Sequence, residues 1–149
     1  IFDIHGREER GGRRNTLTLA RAMGFGKWTL ENDPPPRESI EVGAVSGAFF
    51  MIDRQAFRGM GGFDEDYFLH VEDVDLCRRV IEMGGSVVYQ PHASALHYGS
   101  TSDVPSDAVL EHKAQSLSRY FRKFARSRSE RWLVAILSPL MKQALKMRG

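Results

Sequence analysis

The feature that most restricts this sequence is the order of patterns between Val45 and Ser102. An apolar extended run gives way to a glycine break, then to an acidic segment that becomes a helical repeat, then to Gly84-Gly85 and two short apolar runs. Extended and helical periods alternate, which is the pattern of an α/β chain. Val42 to Ile52 reads as one strand, with small residues at Gly43, Ala44, Ser46, Gly47 and Ala48 and an apolar end at Phe49-Phe50-Met51-Ile52. The small residues let a backbone or a ligand approach, and the apolar end has the composition of a buried strand. Asp53 is placed to cap a short helix over residues 54–58, which the glycines at 59, 61 and 62 end.

The acidic segment holds Asp64, Glu65, Asp66, Glu72, Asp73 and Asp75 among aromatic and aliphatic residues. Apolar neighbours and mutual repulsion push carboxylate pKa values apart, so such a cluster binds cations or handles protons. The plainer reading is electrostatic. A helix spaced by Leu76, Cys77, Val80 and Ile81 starts near Glu72 or Asp73 and runs to Met83, with Arg78, Arg79 and Glu82 facing outward. Acids at 72, 73 and 75 then sit in its first turn, where the helix dipole favours them. That suffices for Asp75 and does not account for residues 64 to 66, which precede the helix.

Ser86–Gln90 and Ala93–Tyr98 read as short strands, the second carrying His97, and Gly99–Pro105 reads as a loop. Ser106 is placed to cap a helix spaced by Leu110, Ala114, Leu117, Phe121 and Phe124. After a polar break at residues 127–130, Trp132 to Leu145 is apolar enough to bury, and Pro139 interrupts it. That stretch is too short to span a bilayer. Upstream, residues 1–40 form an irregular lead-in: a polar stretch from Arg7 to Arg14, a short helix around Leu17–Met23, and the Pro34-Pro35-Pro36 loop. Asp3 and His5 are better explained by a strand end or loop than as a ligand pair.

At 149 residues the chain is one domain in size. Its single cysteine, Cys77, excludes an internal disulfide framework and suits a small core residue in a reducing compartment. The net charge of +2 hides a division, because residues 112–149 carry about +9 and the remainder about −7. A basic tail of this kind favours an anionic surface. The chain begins at Ile1 and not at Met, so it reads as a processed or truncated piece of something longer.

The stretch VSGAFFMIDRQAFRGMGGFDEDYFLHVEDVDLCRRVIEMGGSVVYQPHASALHYGSTS closely resembles the second half of bacterial family 2 glycosyltransferases, in particular their rhamnosyltransferase-like branch. The resemblance rests on the Ser46-Gly47-Ala48 triplet, Gly-Gly-Phe-Asp-Glu at 61 to 65, Glu-Asp-x-Asp-Leu-Cys-x-Arg at 72 to 79, and a later strand bearing His97. It implies a partial GT-A (Rossmann-like) domain, α/β, with a mixed sheet, flanking helices and a C-terminal helical extension. Residues 1–40 would be lead-in, 41–104 the acceptor and catalytic-base half, and 105–149 basic amphipathic helices. The implied reaction is inverting transfer of a sugar, rhamnose for that branch, from a nucleotide-sugar donor to a glycan or lipid-linked acceptor in cell-surface polysaccharide synthesis.

Such a transfer needs a base within hydrogen-bond reach of the acceptor hydroxyl. The resemblance gives that role to Asp73, with Glu72 as its rival or as a group that orients the site. Gly47, Asp64, Glu65 and Phe68 would line the acceptor side. His97 would be a ligand to a divalent cation, Mg or Mn, that neutralises the departing pyrophosphate. Asp64-Glu65-Asp66 has the form of an Asp-x-Asp metal motif, but it occupies the place of the family's Phe-Asp-Glu element. The nucleotide-binding half would precede residue 1, so this chain is expected to be inactive without it. The location implied is cytoplasmic, at the inner face of the cell membrane.

Two other readings stand beside this one. The first is a non-catalytic membrane-surface or protein-interaction module derived from such an enzyme, using the segments 106–125 and 132–145. The second is nucleic-acid binding by Tyr120, Phe121 and Phe124 interleaved with Arg119, Arg122 and Lys123. Helical spacing makes those aromatics core residues, so no nucleic-acid partner is expected.

Overall fold

The computed structural model describes residues 1–98 and 106–146. The chain divides into two compact units, Ile1–Asp64 with Asp73–Thr101 and Glu65–Glu72 with Ser102–Gly149. The Gly99–Pro105 loop and the side chain of Ser106 lie outside the described residues.

The first unit is mixed α/β. Its elements are β1 (Arg13–Arg14), α1 (Leu19–Met23), β2 (Ile40–Glu41), β3 (Ala44–Val45), α2 (Arg54–Gly59), the body of α3 (Glu72–Glu82) and β4 (Val88–Tyr89). The expected mixed sheet is corrected: the named strands form two separate antiparallel ribbons, β1 with β3 and β2 with β4. Residues 40–46 form one extended run that changes partner midway. The Val42 N–H donates to the Val87 carbonyl, whereas the next residue, Gly43, donates to the Arg14 carbonyl. A Cβ at Gly43 would fall 1.8 Å from the Thr16 nitrogen, so only glycine lets the two backbones pass this closely. Ala44, Cys77 and Val87 form the small core at this crossing, with Val42, Val45 and Val80 packed around them. Burial pushes the Cys77 thiol up from its ordinary value, as fits a core cysteine.

The strand expected over residues 42–52 ends at Val45. Beyond it Phe49 is exposed and Met51 is 96% exposed, so the apolar end is not a buried strand. An apolar run gains a ladder only if a partner strand lies beside it, and here the segment is held by ring edges instead. Phe50 and Phe57 both meet Phe63 in T-shaped contacts, at 6.0 and 5.6 Å between centroids. α2 begins as expected, with the Asp53 carboxylate accepting from the Ala56 N–H at 2.8 Å. A cap of this kind contributes about 1 kcal/mol. The run 93–98, expected as a strand, contributes an isolated parallel bridge between Leu96 and Phe2.

Two charge readings are corrected. Asp75, expected to be a helix-end charge, is wholly buried, and Arg79, expected to face outward, turns back along α3 to reach it at 2.7 Å. The Arg79 guanidinium also donates to the carbonyls of Met60 and Gly62, tying α3 to the glycine-rich loop. Likewise the stretch Arg7–Arg14 is not a solvated loop at its end. Arg13 is buried on the Glu8 carboxylate and lies over the Tyr89 ring, while Arg14 is buried beneath β3. Burial and the Glu8 charge push the Tyr89 phenol up.

The second unit is built on α4 (Ser106–Phe124) and α5 (Arg128–Lys146), which pack on one another as a helical hairpin. Leu117, Tyr120, Phe121, Val134 and Met141 are buried there with Tyr67 and Val71. Tyr120 and Phe121 therefore spend their rings on core packing, as their spacing requires. Ser127 accepts from the Glu130 N–H, and the Glu130 carboxylate accepts from the Arg126 N–H. This reciprocal arrangement resembles a capping box at the start of α5. Pro139 lies inside α5 without ending it. Just before α3 the backbone turns through positive φ at His70 (63°) and Val71 (75°). That conformation is strained for a β-branched residue, and Val71 holds it while buried.

Candidate active site

The carboxylate of Asp73 stands in the first turn of α3, where three groups hold it. The Val74 N–H donates to Oδ1 at 2.7 Å and the Gly47 N–H donates to Oδ2 at 3.0 Å. The Arg14 guanidinium reaches Oδ2 at 2.6 Å through Nη2 and Oδ1 at 3.5 Å through Nη1. Side-chain exposures of 10% for Arg14 and 15% for Asp73 make this a largely buried ion pair. The approach at Gly47 is close: a Cβ there would stand 3.2 Å from the Cβ of Asp73, which would have to shift by a few tenths of an ångström. The exposed residues Gly47, Ala48 and Phe49 lie beside it.

Arg14 itself is fixed from several sides. It donates through Nε to the Gly11 carbonyl at 2.8 Å, reaches the Val45 carbonyl at 3.4 Å, and lies 5.8 Å from the centre of the Trp28 ring. A guanidinium bound to two carbonyls and a carboxylate is a rigid countercharge. Sequence reasoning missed Arg14 altogether. It stands in the polar stretch from Arg7 to Arg14, where the pair of glycines before Arg13-Arg14 is the one local sign that the backbone turns there.

The other expected site residues fall into separate environments. Glu72 precedes Asp73 in sequence, is half-buried, and groups with the second unit, whereas Asp73 groups with the first. Asp64 is a half-buried member of the first unit. Glu65 and Phe68 are exposed members of the second, and the Phe68 ring lies 4.5 Å from the imidazole of His112. Asp66 pairs with Arg119 within that unit.

His97 directs Nδ1 at both oxygens of Glu9, at 2.9 and 2.8 Å. Its side chain is 42% exposed. The pair offers two donors, whereas Mg or Mn takes about six ligands. Among the described residues no group of three or more His, Cys, Asp or Glu is placed to hold a metal ion. The pair could supply one or two ligands of a divalent cation, with water or phosphate oxygens completing the shell. Asp3 and His5 belong to a loop: the Asp3 carboxylate accepts from the N–H groups of His5 and Arg7, and the Arg7 contact holds it below its ordinary range.

Comparison with known proteins agrees with the motif order. The chain is 36% identical over 111 residues to an N-acetylglucosaminyl-diphospho-decaprenol L-rhamnosyltransferase of Mycobacterium tuberculosis, a match covering 72% of this chain and 34% of that protein. It is 37% identical over 67 residues to the rhamnosyltransferase WbbL of Escherichia coli K12, covering 42% of this chain and 25% of the relative. It is 38% identical over 68 residues to a pre-mycofactocin glycosyltransferase of Mycobacterium tuberculosis, covering 45% and 14%. No protein-family model matches the chain, and no solved structure does. The chain belongs with the glycosyltransferases, as a family 2-like segment. Within that class its relatives place it on the rhamnosyltransferase-like branch, and it spans about a third of the length of the first of them.

Proposed function

We propose that this segment is the acceptor and catalytic-base half of an inverting, GT-A-type glycosyltransferase. The enzyme would move a sugar, rhamnose by analogy with the relatives, from a nucleotide donor to a glycan or lipid-linked acceptor in cell-surface polysaccharide synthesis. The observation that carries this reading is the Asp73 carboxylate: it is held by two backbone N–H groups and one guanidinium, and one of those N–H groups belongs to the exposed Gly47. In the proposed step the acceptor hydroxyl gives its proton to Asp73 as its oxygen attacks the anomeric carbon, and the nucleoside diphosphate leaves from the opposite face. Arg14 supplies the countercharge and holds the carboxylate at a fixed angle, which is a positioning role. Glu72 would orient the acceptor, with Gly47, Asp64, Glu65 and Phe68 on the acceptor side. Any divalent cation would draw at most one or two ligands from His97 and Glu9, so no step is assigned through it.

The reaction would take place at the cytoplasmic face of the cell membrane. Among the described residues no helix is long and apolar enough to cross a membrane. The isolated 149-residue chain is expected to transfer no sugar. The test is to incubate the longer polypeptide that holds this segment with a nucleoside-diphosphate rhamnose and an N-acetylglucosaminyl-diphospho-polyprenol, and to determine the product's anomeric configuration by NMR. Inversion is expected. Retention, or robust transfer by the isolated chain, would overturn the reading.

A further inference from the structure

The helix α5 has two apolar faces, and α4 covers one of them. Val134 and Met141 are buried against α4. On another side Trp132, Leu133, Ile136 and Leu140 are 72%, 47%, 60% and 45% exposed. At about 100° per residue these four fall within about 100° of arc, so they form one continuous stripe. A helix apolar over this much of its circumference needs a second partner.

The surroundings of the stripe indicate what that partner is. The exposed residues Arg122, Lys123, Arg126, Arg128 and Arg131 surround the turn from α4 to α5, with Glu130 as the acid in that stretch. At the same spacing Arg128 falls about 40° from the edge of the stripe, and Arg131 lies further round the helix. Basic residues beside an apolar stripe that begins with tryptophan suit an anionic, amphiphilic surface and not a neutral protein groove. The helix is about 28 Å long, so it would lie in the plane of such a surface.

We propose that the exposed face of α5 is a lipid-binding face, which seats the protein on bilayers containing anionic phospholipid. Trp132, Leu133, Ile136 and Leu140 enter the acyl boundary while the arginines of the turn meet headgroup phosphates. The opposite side of the hairpin keeps Tyr120 and Phe121 in its core, so α5 and not α4 makes the apolar contact. This deepens the membrane placement proposed above and rests on it for location. Its test is lipid binding and not sugar transfer, so the two can fail separately.

The experiment sediments the 149-residue chain with vesicles of phosphatidylcholine alone or mixed equally with phosphatidylglycerol. A Trp28→Phe background makes emission report Trp132. Binding to the mixed vesicles with a blue shift of Trp132 is expected, with little binding to phosphatidylcholine alone. Ile136→Asp with Leu140→Asp should abolish binding, and Arg128→Glu with Arg131→Glu should weaken it at least about tenfold. Met51→Asp, at a more exposed apolar position far along the chain, should leave binding unchanged. If the aspartate variants lose helical circular dichroism, Ile136→Ser with Leu140→Ser replaces them and should weaken binding as well. Equal binding to both vesicle types, no binding, or a concentration-dependent dimer that buries Trp132 without lipid would each overturn the proposal.

Discussion

Replacing Arg14 with methionine tests the candidate site in the chain itself, without a substrate. Methionine keeps most of the stem volume and removes the charge, leaving Asp73 its two backbone donors and no countercharge. Removing one partner of a fully buried pair costs about 3–5 kcal/mol. The side chains here are 10% and 15% exposed, so water screens part of the orphaned charge and about 2–3 kcal/mol is the reasonable range. The lost bond to the Gly11 carbonyl lies within that range. With a urea m-value of about 2 kcal/mol per molar, the midpoint should fall by roughly 1 M. Unfolding would be followed by emission of Trp28, which lies against Arg14, in a Trp132→Phe background. Asp73→Asn should recover much of the loss in the double variant, giving a coupling of about 1–2 kcal/mol. A cost under about 0.5 kcal/mol with no coupling would show that the ion pair does not organise the site.

Three other outcomes follow from the same geometry. Arg79→Met should destabilise by about 3 kcal/mol or more, because it strips the wholly buried Asp75 of its ion partner; thermal denaturation of the single variant against Arg79→Met/Asp75→Asn measures it, and no recovery in the double would refute it. Gly43→Ala should leave little folded protein by circular dichroism, since its Cβ would overlap the Thr16 backbone; a stable variant would mean that the crossing strands can separate cheaply. Burial raises the Cys77 thiol above its ordinary 9.0. The neutral form is the one the core accepts, so stability is intact below pH 9.0 and falls as pH rises toward the folded value. Urea midpoints of wild type against Cys77→Ala from neutral to alkaline pH should diverge above that point, and parallel curves would contradict it.

What was legible in the sequence was local. Asp53 before a short helix, the 72–83 repeat ended by Gly84-Gly85, and the spacing of Leu117, Tyr120 and Phe121 each carry their physics within a few residues, and α2, α3 and α4 follow. The misread parts depend on partners distant in the chain. Phe49 to Ile52 has a strand's composition, yet among the described residues no strand pairs with it, and the Phe50 ring meets Phe63 instead. Arg79 satisfies an outward helical position by pattern, but Asp75 and the carbonyls of Met60 and Gly62 draw it inward. Of the site, Asp73 and Gly47 were legible through their motifs. Arg14, fifty-nine residues away in sequence, was not, because a charge run gives no sign of which of its members will meet a buried acid.

The central claim is that Asp73 takes the acceptor's proton, and one measurement addresses it most directly. In the longer polypeptide, Asp73→Asn keeps the shape of the side chain and removes its basicity. Turnover with a nucleoside-diphosphate rhamnose and a polyprenyl-linked acceptor would be measured beside the dissociation constant of the donor. Turnover lower by about 100-fold or more with donor affinity little changed is the expected result. Turnover within a few-fold of the wild type, with the protein folded and the donor bound, would contradict the assignment of Asp73 as the base.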